Sequence, residues 1–134
     1  MIIRPEEPAD RSAVCAVIEA AFPTPAEAQL VDQLRADGDA EISLVAVDDD
    51  VVVGHVMFSR MTAEFRALGL GPVAVLPTRQ RSGVGSLLVK RGLARAGADR
   101  WKMVFVLAIR LTIVGSDSIQ RWQAASPRLT RVHI

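Results

Sequence analysis

The stretch Leu68 to Leu93, LGLGPVAVLPTRQRSGVGSLLVKRGL, decides how this 134-residue chain is read. It opens as an apolar run rich in β-branched residues, breaks at Pro77 into Arg, Gln, Ser and Gly, and then takes on helical spacing. The expected structure is strand, turn, helix. In the turn Gln80-Arg81-Ser82-Gly83-Val84-Gly85, absent side chains at Gly83 and Gly85 let a ligand approach the backbone closely. The first turn of a helix has N–H groups without intrahelical acceptors and carries the positive end of the helix dipole, so an anion is favoured there. Arg79 and Arg81 add positive charge. The turn therefore suits a diphosphate.

Two common diphosphate turns do not fit. A dinucleotide fingerprint requires a third Gly where Leu88 stands, and a phosphate-binding Gly-Lys-Ser/Thr loop requires a Lys after Gly83 or Gly85. The hexapeptide QRSGVG after the strand VAVLP instead resembles the Gln/Arg-x-x-Gly-x-Gly/Ala signature of the GNAT superfamily of N-acetyltransferases. The family's order of elements can be followed from Met1 to Leu107. The resemblance implies acetyl-CoA as acyl donor, an amine as acceptor, and no metal. It implies coenzyme contacts at Gln80, Arg81, Ser82, Gly83, Val84, Gly85 and Ser86. It also implies that main-chain groups of Val73, Ala74 and Val75 pair with the pantetheine arm as an added strand would.

Outside this stretch the reading is of one α/β domain. The size and the composition, 50% apolar and 23% charged, are those of a globular domain, and the net charge of +1 gives no general case for nucleic acid or membrane binding. No apolar run reaches a membrane-spanning length, and Arg4, Glu6 and Glu7 stand where a leader would be apolar, so a cytoplasmic protein is expected. The single cysteine, Cys15, excludes an internal disulfide and a cysteine metal cluster and is expected to be a buried helical residue.

Ile2 to Arg4 reads as a first strand. Asp10 is the expected cap of a helix bearing Val14, Val17, Ile18 and Ala21 on one stripe. Thr24-Pro25-Ala26-Glu27 has the form of a capping box, opening a second helix that buries Leu30, Val31 and Leu34 and stops at Gly38. Ile42–Val47 and Val51–Met61 form a hairpin about Asp48-Asp49-Asp50, which is read as a solvated turn and not a metal site. His55 in the second strand and Glu64 beyond it are the candidate catalytic bases. After the glycine turn, Leu88, Val89, Gly92, Leu93 and Ala96 form the buried face of a helix whose Lys90, Arg91, Arg95 and Arg100 stay wet. MVFVL, Met103 to Leu107, is a buried strand. The expected sheet is mixed and mostly antiparallel in β-α-α-β-β-β-α-β order, with helices on both faces and a V-shaped opening beside Gly69 to Val75.

Residues 108–134 depart from the family. The chain contains no tyrosine, although the resembling family commonly has one in its next helix as general acid toward the leaving thiolate. The segment AIRLTIVGSDSIQRWQAASPRLTRVHI holds four Arg and one Asp, a charge of +3 that leaves −2 for residues 1–107. Taking the third base of each codon with the first two of the next, the genetic code permits Leu107 onward to be reread as GDPAYYRRFGFDSALASGFASPYAGPH. The resulting VLGDPAYYRRFGF is similar to what this branch of acetyltransferases carries after its fifth strand. The expectation is an acyl-CoA-binding core at 1–107 and a segment at 108–134 read in a shifted frame. Loss of the closing elements is expected to leave an unpaired apolar edge on the last strand, with Ile109 to Val114 able to pair locally and Trp122 in a loosely packed tail.

Overall fold

The structure is a computed structural model that describes residues 1–61, 67–107 and 129–133. A six-stranded sheet runs in chain order. It consists of β1 (Ile2–Pro5), β2 (Ala40–Asp48), β3 (Val51–Arg60), β4 (Ala67–Val75), β5 (Met103–Leu107) and β6 (Leu129–His133). All neighbouring pairs are antiparallel except β4 and β5, which are parallel and joined by a helical crossover. Helices α1 (Arg11–Ala21) and α2 (Ala26–Ala36) cover one face, and α3 (Val84–Ala98) covers the other. This is the expected mixed α/β architecture.

The β2–β3 turn needs left-handed backbone at both central positions. Asp49 and Asp50 supply it, with φ of 48° and 63°, a conformation that Asp tolerates better than most residues. Val14, Val17 and Ile18 of α1 pack on Val45, Met57 and Ala74 of the sheet, as their spacing predicted. On the opposite face Leu88 and Val89 of α3 pack with Val56, Phe58 and Val73. Close packing there depends on Gly92: a Cβ built on it would lie 2.1 Å from Phe58 Cε1 and 2.5 Å from Cζ.

Three local expectations are corrected. Asp10 does not cap α1 forward; its carboxylate turns back to accept from the Glu7 amide at 2.8 Å and from Arg4 at 2.7 Å, closing a 3₁₀ turn at Pro8–Asp10. Hydrogen bonds from Arg4 and from the Glu7 amide hold the Asp10 carboxyl at a pKa of about 2. The Thr24 capping box is also absent. Pro25 is the cap residue, and Thr24 Oγ1 donates to the Glu27 carboxylate at 3.4 Å instead of accepting from the backbone. As a result α2 buries Glu27, Ala28 and Val31, while Leu30 and Leu34 are only half-buried. Finally, the apolar edge expected on β5 is paired along its length by β6, from Met103↔His133 to Leu107↔Leu129. Ile109 to Val114 and Trp122 lie outside the described residues.

Candidate functional site: a split sheet edge beside a helix mouth

β4 forms the inner wall of the site, and its shape follows from one irregularity. Val56 pairs with Val73 and Phe58 with Leu70, so two β4 residues, Gly71 and Pro72, lie opposite Met57 alone. Gly71 takes φ 140°, which a side chain would oppose, and Pro72 has no amide to give to a ladder. The bulge bends β4. Among the described residues its pairing with β5 runs only from Ala67↔Met103 to Leu70↔Val106 and stops at the bulge, where the expected V-shaped opening would begin.

The ladder also fixes which main-chain groups face that opening. The Leu76 amide donates to the Val53 carbonyl at 2.9 Å, which makes 53 and 76 a hydrogen-bonded pair. Pairs alternate along an antiparallel ladder, so Ala74 opposite His55 is bonded to β3, whereas Val73 and Val75 direct their amides and carbonyls away from it. The Val75 carbonyl accepts from Gln80 Nε2 at 3.1 Å. Side chains of Val73, Ala74 and Val75 are all core.

The turn from β4 into α3 is internally braced. The Arg79 amide donates to the Leu76 carbonyl at 2.8 Å, and Ser82 Oγ donates to the Arg79 carbonyl. The Arg79 guanidinium pairs with Asp48 at the β2–β3 turn, and this pairing holds the Asp48 carboxyl below its usual pKa. Arg81 and Gly83 both have left-handed backbone, φ 65° and 88°. Gly83 caps α3 without a side chain, and a Cβ there would meet nothing within 4 Å, leaving the approach open. Leu87 is the first amide to bond back into the helix, to the Gly83 carbonyl at 3.0 Å. The amides of Val84, Gly85 and Ser86 precede it in the helix mouth. Gln80 to Ser86 and the Val73–Val75 end of β4 are therefore brought together at one end of the sheet.

Charge is divided between the two layers. Residues 77–102, which include α3, hold seven Lys and Arg against one Asp; residues 6–39, which include α1 and α2, hold eight Asp and Glu against two Arg. The exposed side of α3 carries Lys90, Arg91 and Arg95. The total charge of +1 conceals this division.

His55 lies away from the opening. It is 0% exposed on the α1 and α2 face, and its Nε2 lies 2.8 Å from Ser43 Oγ and 3.2 Å from the Glu6 carboxylate. Burial pushes the His55 pKa down, so the ring is neutral, and an ionised Glu6 can only accept. Nε2 therefore carries the proton and Nδ1 is bare; Nδ1 has no hydrogen-bond partner. Burial raises the pKa of Glu6, but donors from His55, Arg35 and Ser43 outweigh it and hold the value at about 2. This cluster ties the segment after β1 to β2, β3 and α2. Sequence reasoning found His55 but not its partners, because Glu6, Arg35 and Ser43 are distant in sequence and each looks like a surface residue. Glu64 lies outside the described residues. Cys15 is half-buried beside Glu19, at 3.4 Å, and burial followed by that neighbour raises its thiol pKa. Among the described residues no group of three or more His, Cys, Asp or Glu could hold a metal, and no helix is long and apolar enough to cross a membrane.

Residues 11–112 match the model of the acetyltransferase (GNAT) family. The chain is 38% identical over 97 residues to the uncharacterized N-acetyltransferase YhbS of Escherichia coli K12, covering 69% of this chain and 58% of that protein. Over 105 residues it is 34% identical to the uncharacterized N-acetyltransferase YjhQ of the same organism, covering 73% and 58% respectively. It thus spans less than two thirds of these relatives. The crystal structure of E. coli YhbS in complex with CoA superposes with a TM-score of 0.74 at 34% identity, covering 79% of this chain and 61% of that one. A GNAT family acetyltransferase from Brucella melitensis in complex with acetyl-CoA gives a TM-score of 0.82 at 33% identity, covering 99% and 87%. With the bulged strand, the split edge and the glycine turn all in this order, the chain belongs to the GNAT acetyltransferase family.

Proposed function

We propose that this chain binds acetyl-CoA and transfers the acetyl group to an amine. The observation that carries the reading is the convergence of two sets of main-chain donors. The open edge of β4 at Val73 and Val75 lies beside the α3 mouth at Val84 to Ser86, which suits an amide-bearing arm continuous with a diphosphate. Two relatives at 33 and 34% identity are described as complexes with acetyl-CoA and CoA, which supports the same ligand here. The pantetheine contacts belong to Val73 and Val75, because Ala74 directs its main-chain groups to β3. Gln80 to Ser86 form the diphosphate cradle.

In the reaction a neutral amine attacks the thioester carbonyl, and the thiolate leaves. The protein holds the thioester in the opening, and the open amides of β4 polarise its carbonyl. His55 is not the base in this mechanism, since it is enclosed and its one protonated nitrogen is committed to Glu6 and Ser43. Proton removal falls to water or to Glu64. The missing tyrosine favours a second reading, an acyl-CoA-binding module without turnover. The two readings share the cradle and differ in chemistry.

Calorimetric titration with acetyl-CoA tests the shared part. Wild type should bind, and Gly83→Glu and Gly85→Glu should each lose affinity by about tenfold or more, because a carboxylate then stands in an anion site. A folded wild type that does not bind acetyl-CoA refutes the assignment. Thiol release with a panel of amines separates the transferase from the silent module. We also propose that residues 108–134 are read in a shifted frame. Sequencing the gene from close relatives tests this directly: an intact frame that still encodes AIRLTIVG would exclude it.

A further inference from the structure

We infer that Gln80 is a positioning residue that withdraws the Val75 carbonyl from the open edge of β4 and so sets the distance between the pantetheine edge and the diphosphate cradle. The inference builds on the acetyl-CoA reading above and adds what Gln80 does within it. The ladder register turns the Val75 carbonyl away from β3 and toward the opening, and there Gln80 Nε2 donates to it at 3.1 Å. Among the described residues both Val73 groups and the Val75 amide have no partner on this side of β4, whereas the Val75 carbonyl accepts from Gln80. At its cradle end the edge is therefore a donor only, matched to a carbonyl of the arm.

The second part of the inference concerns spacing. Gln80 is five residues beyond Val75, across the braced turn that begins at Pro77. Arg79 on one side is fixed to Asp48, and Ser82 on the other is fixed to the Arg79 carbonyl. Gln80 links this brace to β4 through a side chain. A ligand that is one covalent chain from nucleotide to thioester needs both subsites at a set separation. A ligand that uses only one subsite does not.

The test compares coenzyme A with 3′-phospho-ADP, its nucleotide half, by calorimetry on the full chain. Gln80→Met keeps length and volume but has no donor, whereas Gln80→Arg restores one. For Gln80→Met, affinity for coenzyme A should fall by at least about fivefold more than affinity for 3′-phospho-ADP, because only the former needs both subsites at the set separation. Gln80→Arg should return coenzyme A affinity to within about threefold. The inference is overturned if Gln80→Met binds coenzyme A as wild type does, if it loses both ligands equally, or if Gln80→Arg fails to rescue. Should wild type bind neither ligand, the acetyl-CoA reading itself falls and this inference falls with it. Thermal melting of each variant shows whether a lost affinity is instead lost fold.

Discussion

Replacing Gly92 by Ala tests how the sheet and α3 are held together, and the size of the effect follows from opposed terms. In an ordinary helix interior, Gly→Ala stabilises by about 1 kcal/mol through backbone entropy. Here the new methyl would stand 2.1 Å from Phe58 Cε1, 2.5 Å from Cζ and 3.2 Å from Cδ1. Phe58 is 0% exposed and is among the largest fully buried side chains, so its ring cannot swing out to solvent. Either the ring leaves its rotamer or α3 moves off the sheet, and overpacking of this kind costs roughly 3 kcal/mol. The net expectation is a loss of about 2 kcal/mol, or roughly 8 °C in melting temperature for a domain of this size. Urea denaturation followed by circular dichroism would measure it. Phe58→Leu removes the colliding ring carbons, so the double variant should be more stable than the two single losses predict, by about 1 kcal/mol or more. A Gly92→Ala protein as stable as wild type, or strict additivity in that cycle, would refute the claim that this glycine sets the approach of α3.

Other outcomes follow from the site and its supports. Stability should fall on acidification in two stages. The neutral buried His55 has its folded pKa lowered, so the unfolded chain takes up the proton first and stability declines as pH drops through about 6.5. Glu6, lowered to about 2 from 4.5, contributes above 4.5 and loses that contribution between 4.5 and 2. Urea midpoints across pH should show both stages, and His55→Gln should remove the upper one and alter the lower one less than Glu6→Gln does, since Arg35 and Ser43 still donate to Glu6. Asp48→Asn breaks the Arg79 pair, but Arg79 is 37% exposed, so the stability cost should be under about 1 kcal/mol in the same urea assay. Gly83→Ala should lose about 1 kcal/mol from its left-handed backbone, with no steric penalty, since the space around it is open. Restoring the alternative reading frame after Leu107 should raise the soluble yield and the melting temperature of the product, and an unchanged yield and melting temperature would count against the frame proposal.

Much of the fold was legible because each element has local punctuation. Pro77 and the glycines mark the β4-to-α3 turn, Gly38 ends α2 with φ 74°, and the aspartates mark the hairpin. The caps were misread for a local reason. Asp10 and Thr24 are of the right residue types, but their polar atoms found other partners, Arg4 and the Glu7 amide for one and Glu27 for the other. The bulge at Gly71-Pro72 could not be derived from the dipeptide alone, because a two-against-one register is a property of the pairing with Met57. Nor could β6 be expected, since it pairs across a long sequence separation. In the proposed site, the glycine turn before α3 was readable as a motif, whereas the orientation of Val73, Ala74 and Val75 depends on the phase of the ladder, which sequence does not encode. The partners of His55 escaped notice for a related reason: Glu6 just after β1 and Ser43 within β2 meet it only when β2 pairs with its neighbours.

The uneven charge of the two helical layers gives the molecule a lasting electric direction. A polyanion diffusing nearby is drawn toward the α3 side and turned away from the α1 and α2 side before any atom touches, while an ammonium compound experiences the reverse. On the acetyl-transfer reading proposed above, donor and acceptor would then arrive from different sides. Because such guidance fades beyond about 10 Å at 0.1 M salt, the rate of coenzyme capture should decline with ionic strength more steeply than the rate of its release.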